Sequence, residues 1–261
     1  MKIVVPVKYV PEPTAAWRFS EDLTLDRDAV EGRLSELDEY AVEQAVRLTE
    51  SGLDAEIVAL TVGPAKATDA LRKALAMGAH SGVHVLDDAI AGSDAMGTSL
   101  VLAKAIAQAG FDLVVTGMSS TDAEMSVVPA MVAERLGAAQ VTFASALSVD
   151  AAAGTVTIRR DGDTASDQVE ASLHAVVSVT DQTGEARYPA FKAIMASKKK
   201  PVTTWSLADL GIAPDEVGQG AAAAVVKSLT PRPPKAAGVL VVDEGDGAAR
   251  IADFLTERKF L

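Results

Sequence analysis

The residues best suited to chemistry lie in the run Gly117-Met118-Ser119-Ser120-Thr121-Asp122-Ala123-Glu124-Met125-Ser126-Val127-Val128-Pro129. This run leaves the carboxyl end of a predicted strand and opens a predicted helix near Ser126. Exposed backbone N–H groups and the positive end of a helix dipole favour a phosphate there, and ligands of open α/β sheets collect at strand carboxyl ends. Hydroxyls at Ser119, Ser120, Thr121 and Ser126 would add donors. The same run also reads as an ordinary polar loop with Ser126 as a helix N-cap, and local pattern alone favours that second reading. Two common phosphate cradles, G-x-x-x-x-G-K-[ST] and G-x-G-x-x-G, are missing from the chain.

Other reactive residues point to no catalytic centre. His80, His84 and His174 are the only histidines, and they lack a metal-ligand spacing. They are expected to be structural. No nucleophile elbow occurs, and the acids fall mostly on charged helix faces or in turns. The chain is therefore not expected to be an enzyme by itself. Lys198-Lys199-Lys200 is a short basic run, usually a solvated surface.

Composition narrows the classes further. In 261 residues, 49% are hydrophobic and 23% charged, enough apolar material for a folded core. The net charge of -12 argues against a general nucleic-acid binder, because such affinity comes from Lys and Arg displacing counterions. With no cysteine, disulfides and thiolate sites are excluded. The apolar stretch after Met1 is too short for a secretory signal, and no run reaches the ~20 apolar residues of a spanning helix. A cytoplasmic location without membrane insertion is expected.

The elements that would position the Gly117 loop alternate. Ile3 to Val7 reads as a strand buried on both faces. Leu37 to Thr49 is an amphipathic helix, Ala55 to Val62 a strand, and Gly63-Pro64 starts a helix through Met77. Gly82 to Leu86 is a strand, Asp94 to Gln108 a helix, and Asp112 to Thr116 the strand before the loop. The pattern predicts a Rossmann-like, mostly parallel α/β sheet covered by helices on both faces. Gln140 to Val149 and Thr155 to Arg160 suggest a hairpin, and with His174 to Val179 they predict an antiparallel extension of the sheet. From Arg187 the chain turns basic and then Pro- and Ala-rich, with few long helices or strands expected. We expect an α/β nucleotide-binding domain over residues 1–186. Residues 187–261 would form a recognition loop and an extended arm, closed by a helix from Gly247 to Lys259. An arm with little core of its own needs another surface to lie on.

The segment Arg187-Tyr188-Pro189-Ala190-Phe191-Lys192-Ala193-Ile194-Met195-Ala196-Ser197-Lys198-Lys199-Lys200 resembles the signature of electron transfer flavoprotein β subunits. Agreement extends, in order, to the Val-Pro-Val-Lys start, Asp38 to Leu48, Gly63-Pro64 with Arg72 to Ala79, Asp112 to Gly117, and Thr142 to Ser145. The resemblance implies a heterodimer with a larger α subunit that carries the redox-active FAD, while the β chain buries an AMP. It implies an electron carrier between flavin dehydrogenases of the acyl-CoA dehydrogenase type and electron transfer flavoprotein quinone oxidoreductase. Carried over by position, the AMP contacts are Pro6, Ser35, Glu36, Leu37, Asp38, Val62, Gly117, Met118, Ser119, Ser120, Thr121, Asp122, Ser126, Val127 and Val128. Phe191 takes the place of the apolar anchor that docks dehydrogenases, flanked by Lys192, Ile194 and Met195, and Pro13 and Leu37 would approach the α-bound FAD. The chain departs from the family where Ser35-Glu36 replaces a frequent Asn-Pro and where Asp122 to Val128 replaces an acidic cluster followed by Asn-Gln-Thr. Bifurcating relatives hold a second FAD in place of AMP, with a D-T-A-Q-V-G-like stretch that this chain lacks. The resemblance thus favours AMP, and a stand-alone adenine-nucleotide-binding α/β protein is the further alternative.

Overall fold

The computed structural model describes residues 1–235 and 237–261. It forms two units, Met1–Lys227 and Ser228–Leu261. The first is built on a seven-stranded sheet in the order β12-β5-β4-β1-β6-β11-β7, every adjacent pair parallel. These strands are β1 (Lys2–Pro6), β4 (Glu56–Val62), β5 (Ser81–Val85), β6 (Leu113–Gly117), β7 (Ala139–Ala144), β11 (Ala175–Val179) and β12 (Val202–Trp205). A short pair, β2 (Tyr9–Pro11) and β3 (Gly32–Leu34), lies apart as its own ribbon.

Strand alternation explains how two layers of helices cover one sheet. In β1, Ile3 and Val5 join one apolar cluster and Val4 the opposite one. The first cluster receives α1 (Glu36–Glu50) through Ala41, Val42 and Ala45, and α2 (Thr68–Met77) through Leu71, Ala74 and Leu75. The second receives α3 (Ala95–Ala109) through Val101, Leu102, Ala105 and Ile106, and α4 (Val128–Leu136) through Val132 and Ala133. Apolar positions three and four apart on each helix meet the sheet, and each fully buried Leu, Ile or Val side chain contributes about 1.5–3 kcal/mol. Gly78 ends α2 at φ +147°, where a Cβ would stand 2.6 Å from Val46 Cγ2 of α1. The helices close on each other because that residue is glycine.

The predicted α/β class holds, while several elements fall differently. Gly63-Pro64 leads first into a 3₁₀ turn, Ala65–Ala67, and α2 starts at Thr68. The antiparallel part is a separate three-stranded sheet of β8 (Ala146–Asp150), β9 (Thr155–Asp161) and β10 (Ser166–Ser172) rather than an extension of the main one. The run from His174 supplies β11, which is parallel and inserts between β6 and β7. Ala175 to Val179 are all buried, as suits a strand covered on both faces, and all but Ser178 are apolar. After Arg187, α5 (Phe191–Ser197) packs on α2, and β12 completes the sheet edge beside β5. A single turn, α6 (Gly218–Ala221), follows.

The unit Ser228–Leu261 contains α7 (Gly247–Glu257), close to the predicted Gly247 to Lys259. Asp243 receives the N–H groups of Gly245 and Gly247 at its start. None of the residues of α7 is buried, and Val239, Leu240, Ile251, Phe254, Phe260 and Leu261 present their side chains to solvent. Among the described residues, no helix is long and apolar enough to cross a membrane.

Candidate functional site

A cleft of about 300 Å³ opens at the carboxyl ends of β1, β4 and β6. Successive strands extend from β1 through β4 to β5 on one side, and β6 then starts the other side, so the cleft lies at the switch point of the sheet. Pro6, Val7 and Lys8 enter it from β1, Val62 from β4, Thr116 to Ser120 from β6, and Asp38 from the first turn of α1. Ser126, Val128 and Pro129 close it at the start of α4.

The Gly117 loop has an unusual backbone where it enters α4. Ser126 stands at φ +56° and Val127 at φ -102°, ψ -21°, an alternation of left- and right-handed residues that turns successive N–H groups to one side. Glu124 is also left-handed, at φ +50°. Such conformations cost of order 1–3 kcal/mol for residues other than glycine and concentrate at ligand sites. Among the described residues no side chain caps α4, and Val127, not Ser126, holds the N-cap position. The bland reading of Ser126 as a capping residue therefore fails. Among the described residues, the N–H groups of Ser126, Val127 and Val128 meet no acceptor. They combine the orphan donors of a helix start with the positive end of its dipole.

Charges are grouped at the same rim. The Asp122 side chain, only 1% exposed, accepts from Lys8 Nζ at 2.7 Å on Oδ1 and from Arg27 at 2.7 Å on Oδ2. Lys8 also reaches Ser120 Oγ at 3.2 Å. Burial alone would raise the Asp122 carboxyl, but the charge and hydrogen bond of Lys8, with Arg27 behind them, hold it down at about 2. Asp38 behaves oppositely. It is buried and accepts the Lys8 backbone N–H at 2.8 Å, yet desolvation dominates and pushes its carboxyl up to about 7. Gly117 makes this approach possible, because a Cβ there would lie 2.8 Å from Asp38 Oδ1 and from the Leu37 carbonyl.

Of the positions expected to bind nucleotide, Pro6, Asp38, Val62, Gly117, Met118, Ser119, Ser120, Ser126 and Val128 line the cleft together. Ser35, Glu36, Leu37, Thr121, Asp122 and Val127 stand behind or beside it, with Glu36 exposed. Four buried side-chain oxygens lack a partner among the described residues: Ser35 Oγ, Thr61 Oγ1, Ser119 Oγ and Thr121 Oγ1. Three belong to the expected set and the fourth precedes Val62. Buried hydroxyls are normally satisfied, and of these four only Ser119 lines the cleft. Lys8 and Arg27 were not singled out by sequence reasoning. Lys8 sits in the β1 exit, but nothing local marks Arg27, which a 95-residue separation keeps from Asp122 until the chain folds.

The histidines are structural. His80 Nδ1 accepts the Ile57 N–H, His84 links the Gly63 carbonyl and the Thr68 hydroxyl, and His174 meets Phe111 edge-on. Among the described residues, no cluster of His, Asp or Glu is arranged to hold a metal ion.

The segment from Arg187 is held at its back and open at its front. Arg187 donates to Glu43 at 2.7 Å and bidentately to Glu50 at 2.6 and 2.7 Å. Arg47 adds a 2.6 Å bond to Glu43 and reaches the Thr183 and Glu185 carbonyls. Burial raises the Glu43 carboxyl, and the Arg187 bonds more than reverse this, leaving it below its ordinary range. Beyond this clamp, Arg72 of α2 donates to the Ser197 carbonyl at the end of α5, while Lys200 donates to the Leu75 and Ala79 carbonyls at the end of α2. Lys200 is thus a helix-capping cation rather than solvated surface, and burial lowers its pKa. Lys192, Lys198 and Lys199 stay exposed, with Tyr188, Phe191 (78% exposed), Ile194 and Met195.

Residues 22–210 match the family model of the electron transfer flavoprotein domain. Over 265 aligned positions and 99% of both chains, the sequence is 42% identical to electron transfer flavoprotein subunit beta of Mycobacterium bovis and 43% identical to that of Mycobacterium leprae. It is 36% identical to the subunit beta of Syntrophomonas wolfei over 258 positions, covering 98% of this chain and 96% of the relative. With a parallel sheet, a switch-point cleft and near full-length similarity in agreement, the chain belongs to the electron transfer flavoprotein β subunit family.

Proposed function

We propose that this chain is the β subunit of a heterodimeric electron carrier, with an AMP in the cleft at β1, β4 and β6 and a larger α subunit holding the redox-active FAD. The observation that carries the nucleotide assignment is the uncapped start of α4, with free N–H groups at Ser126 to Val128 beside Lys8 and Arg27. A phosphate there would accept from those N–H groups and both cations. The orphan hydroxyl of Ser119 supplies a further polar partner, while Val62, Leu102, Met118 and Val132 offer an apolar wall for a base. The cleft volume lies at the small end of the usual range of about 300–1,000 Å³, which favours a mononucleotide over a second FAD.

The α subunit is the expected cover for the apolar side chains that Ser228–Leu261 leaves in water. Phe191 on α5 would anchor dehydrogenases of the acyl-CoA type, because an exposed aromatic gives binding energy and the surrounding lysines steer an acidic partner. Reduced carrier would pass its electrons on to electron transfer flavoprotein quinone oxidoreductase. In this scheme the β chain binds, docks and positions, and carries out no independent reaction; a cytoplasmic location goes with it.

Co-expression with a candidate α subunit, followed by quantification of released flavin and nucleotide, tests the proposal. One FAD and one AMP per heterodimer is the expected result. Two FAD and no AMP would assign the chain to bifurcating relatives, and failure to pair with any α subunit would favour a stand-alone nucleotide-binding protein.

A further inference from the structure

The loop between β2 and β3, residues 12–31, is a small closed arch. Glu12 N–H donates to the Glu31 carbonyl at 3.0 Å and Asp26 N–H to the Arg18 carbonyl at 2.9 Å, and Phe19 bridges Leu25. None of its residues belongs to the buried core, so burial does little to fix its position. Among the described residues, three ion pairs tie it to the rest of the chain: Glu12–Arg33 at 3.6 Å, Asp28–Lys66 at 3.2 Å and Arg27–Asp122 at 2.7 Å. The first two involve exposed acids, where solvent screening leaves little net attraction. The third ends on a carboxylate that is 1% exposed and already carries Lys8. One carboxylate thus holds two cations, leaving a net positive charge on a cluster whose cations line the cleft. Arg27 spends one nitrogen on Asp122, while a guanidinium has five N–H donors in a planar fork.

We propose that Arg27 couples the cleft to the arch: the phosphate of a bound nucleotide takes the remaining N–H groups of Arg27 while Asp122 keeps its hold, so a filled cleft pins residues 12–31 down. The inference rests on the nucleotide reading above. Arginine suits this role better than lysine because its fork can serve two anions at once, whereas an ammonium is a single point charge. Arg27 is then a positioning residue for the arch as well as a contact for the ligand.

Limited trypsin cleavage after the exposed Arg18 reads the arch, and calorimetric titration with AMP reads the cleft, both on the full chain in complex with its α subunit after bound nucleotide has been stripped. AMP should slow cleavage after Arg18 by about tenfold, the factor that one charge-assisted hydrogen bond is worth. Arg27→Gln should weaken AMP binding by a similar factor, speed cleavage of the nucleotide-free protein because the tie to Asp122 is lost, and abolish the further slowing that AMP brings. Arg27→Lys should keep most of the affinity and lose most of the protection, a split that a merely structural role would not produce. AMP binding without any effect on cleavage, or full protection in Arg27→Gln, would overturn the coupling and leave the nucleotide reading standing. Absence of AMP binding to the wild type would overturn that reading, and the coupling with it.

Discussion

Helix α1 carries a charged network at each end, and the two differ in how completely they are satisfied. At its start, Asp38 is buried with its carboxyl pushed up to about 7, Ser35 Oγ has no partner among the described residues, and the neighbouring Asp122 pairs with Lys8 and Arg27. Further along, Glu43 and Glu50 receive Arg187, and Glu43 also receives Arg47, whose other donors reach backbone carbonyls. The satisfied network fastens the chain that leads into α5. The incomplete one lies at a cleft lined by Lys8, Arg27 and Asp38. Buried polar groups without partners are costly, so a fold that keeps several together is expected to meet them from outside.

The largest expected effect comes from removing a cation of the satisfied network. Arg187→Ala leaves the buried Glu43 with Arg47 alone and should cost about 3 kcal/mol of stability, as removal of one partner from a buried pair does. Denaturant unfolding measures it; a loss below about 1 kcal/mol would mean the clamp is no more than a surface ion pair.

A smaller, pH-dependent effect is expected at the cleft. The folded Asp38 carboxyl is raised from 3.8 to about 7, so between these values the fold binds more protons than the unfolded chain. Stability contributed by this group is present below pH 3.8 and is lost as pH rises toward 7. Asp122 has the opposite sign: lowered from 3.8 to about 2, it stabilises above pH 3.8 and loses that contribution as pH falls through 2. Melting temperature followed from pH 4 to pH 7 should decline more steeply for wild type than for Asp38→Asn. Parallel curves would show that Asp38 is ionised in the fold throughout.

The smallest change in stability should come from Phe191→Ala. Phe191 is 78% exposed, and its loss should shift stability by no more than about 0.5 kcal/mol. Electron transfer from an acyl-CoA dehydrogenase should nevertheless slow, with flavin and AMP content unchanged. Unchanged transfer would remove Phe191 from docking and leave the clamp behind it as a purely structural device.

Local periodicity and composition were sufficient for much of this protein. The α1 to α4 helices and strands β1, β4, β5 and β6 follow from apolar spacing and from Gly and Pro stops, because each is decided within a dozen neighbouring residues. The Gly117 loop was legible for the same reason, as a polar run between a strand and a helix. Strand order was not. Nothing in Ala175 to Val179 says that it inserts between β6 and β7, since parallel pairing joins residues far apart in the chain. Tertiary structure alone decided that Arg27 meets Asp122, that Lys200 caps α2 while Arg72 caps α5, and that Asp38 loses its water beside Gly117. Each of these depends on which surfaces the packed sheet brings together, and a side chain's charge state and partner follow from that environment rather than from its neighbours in sequence.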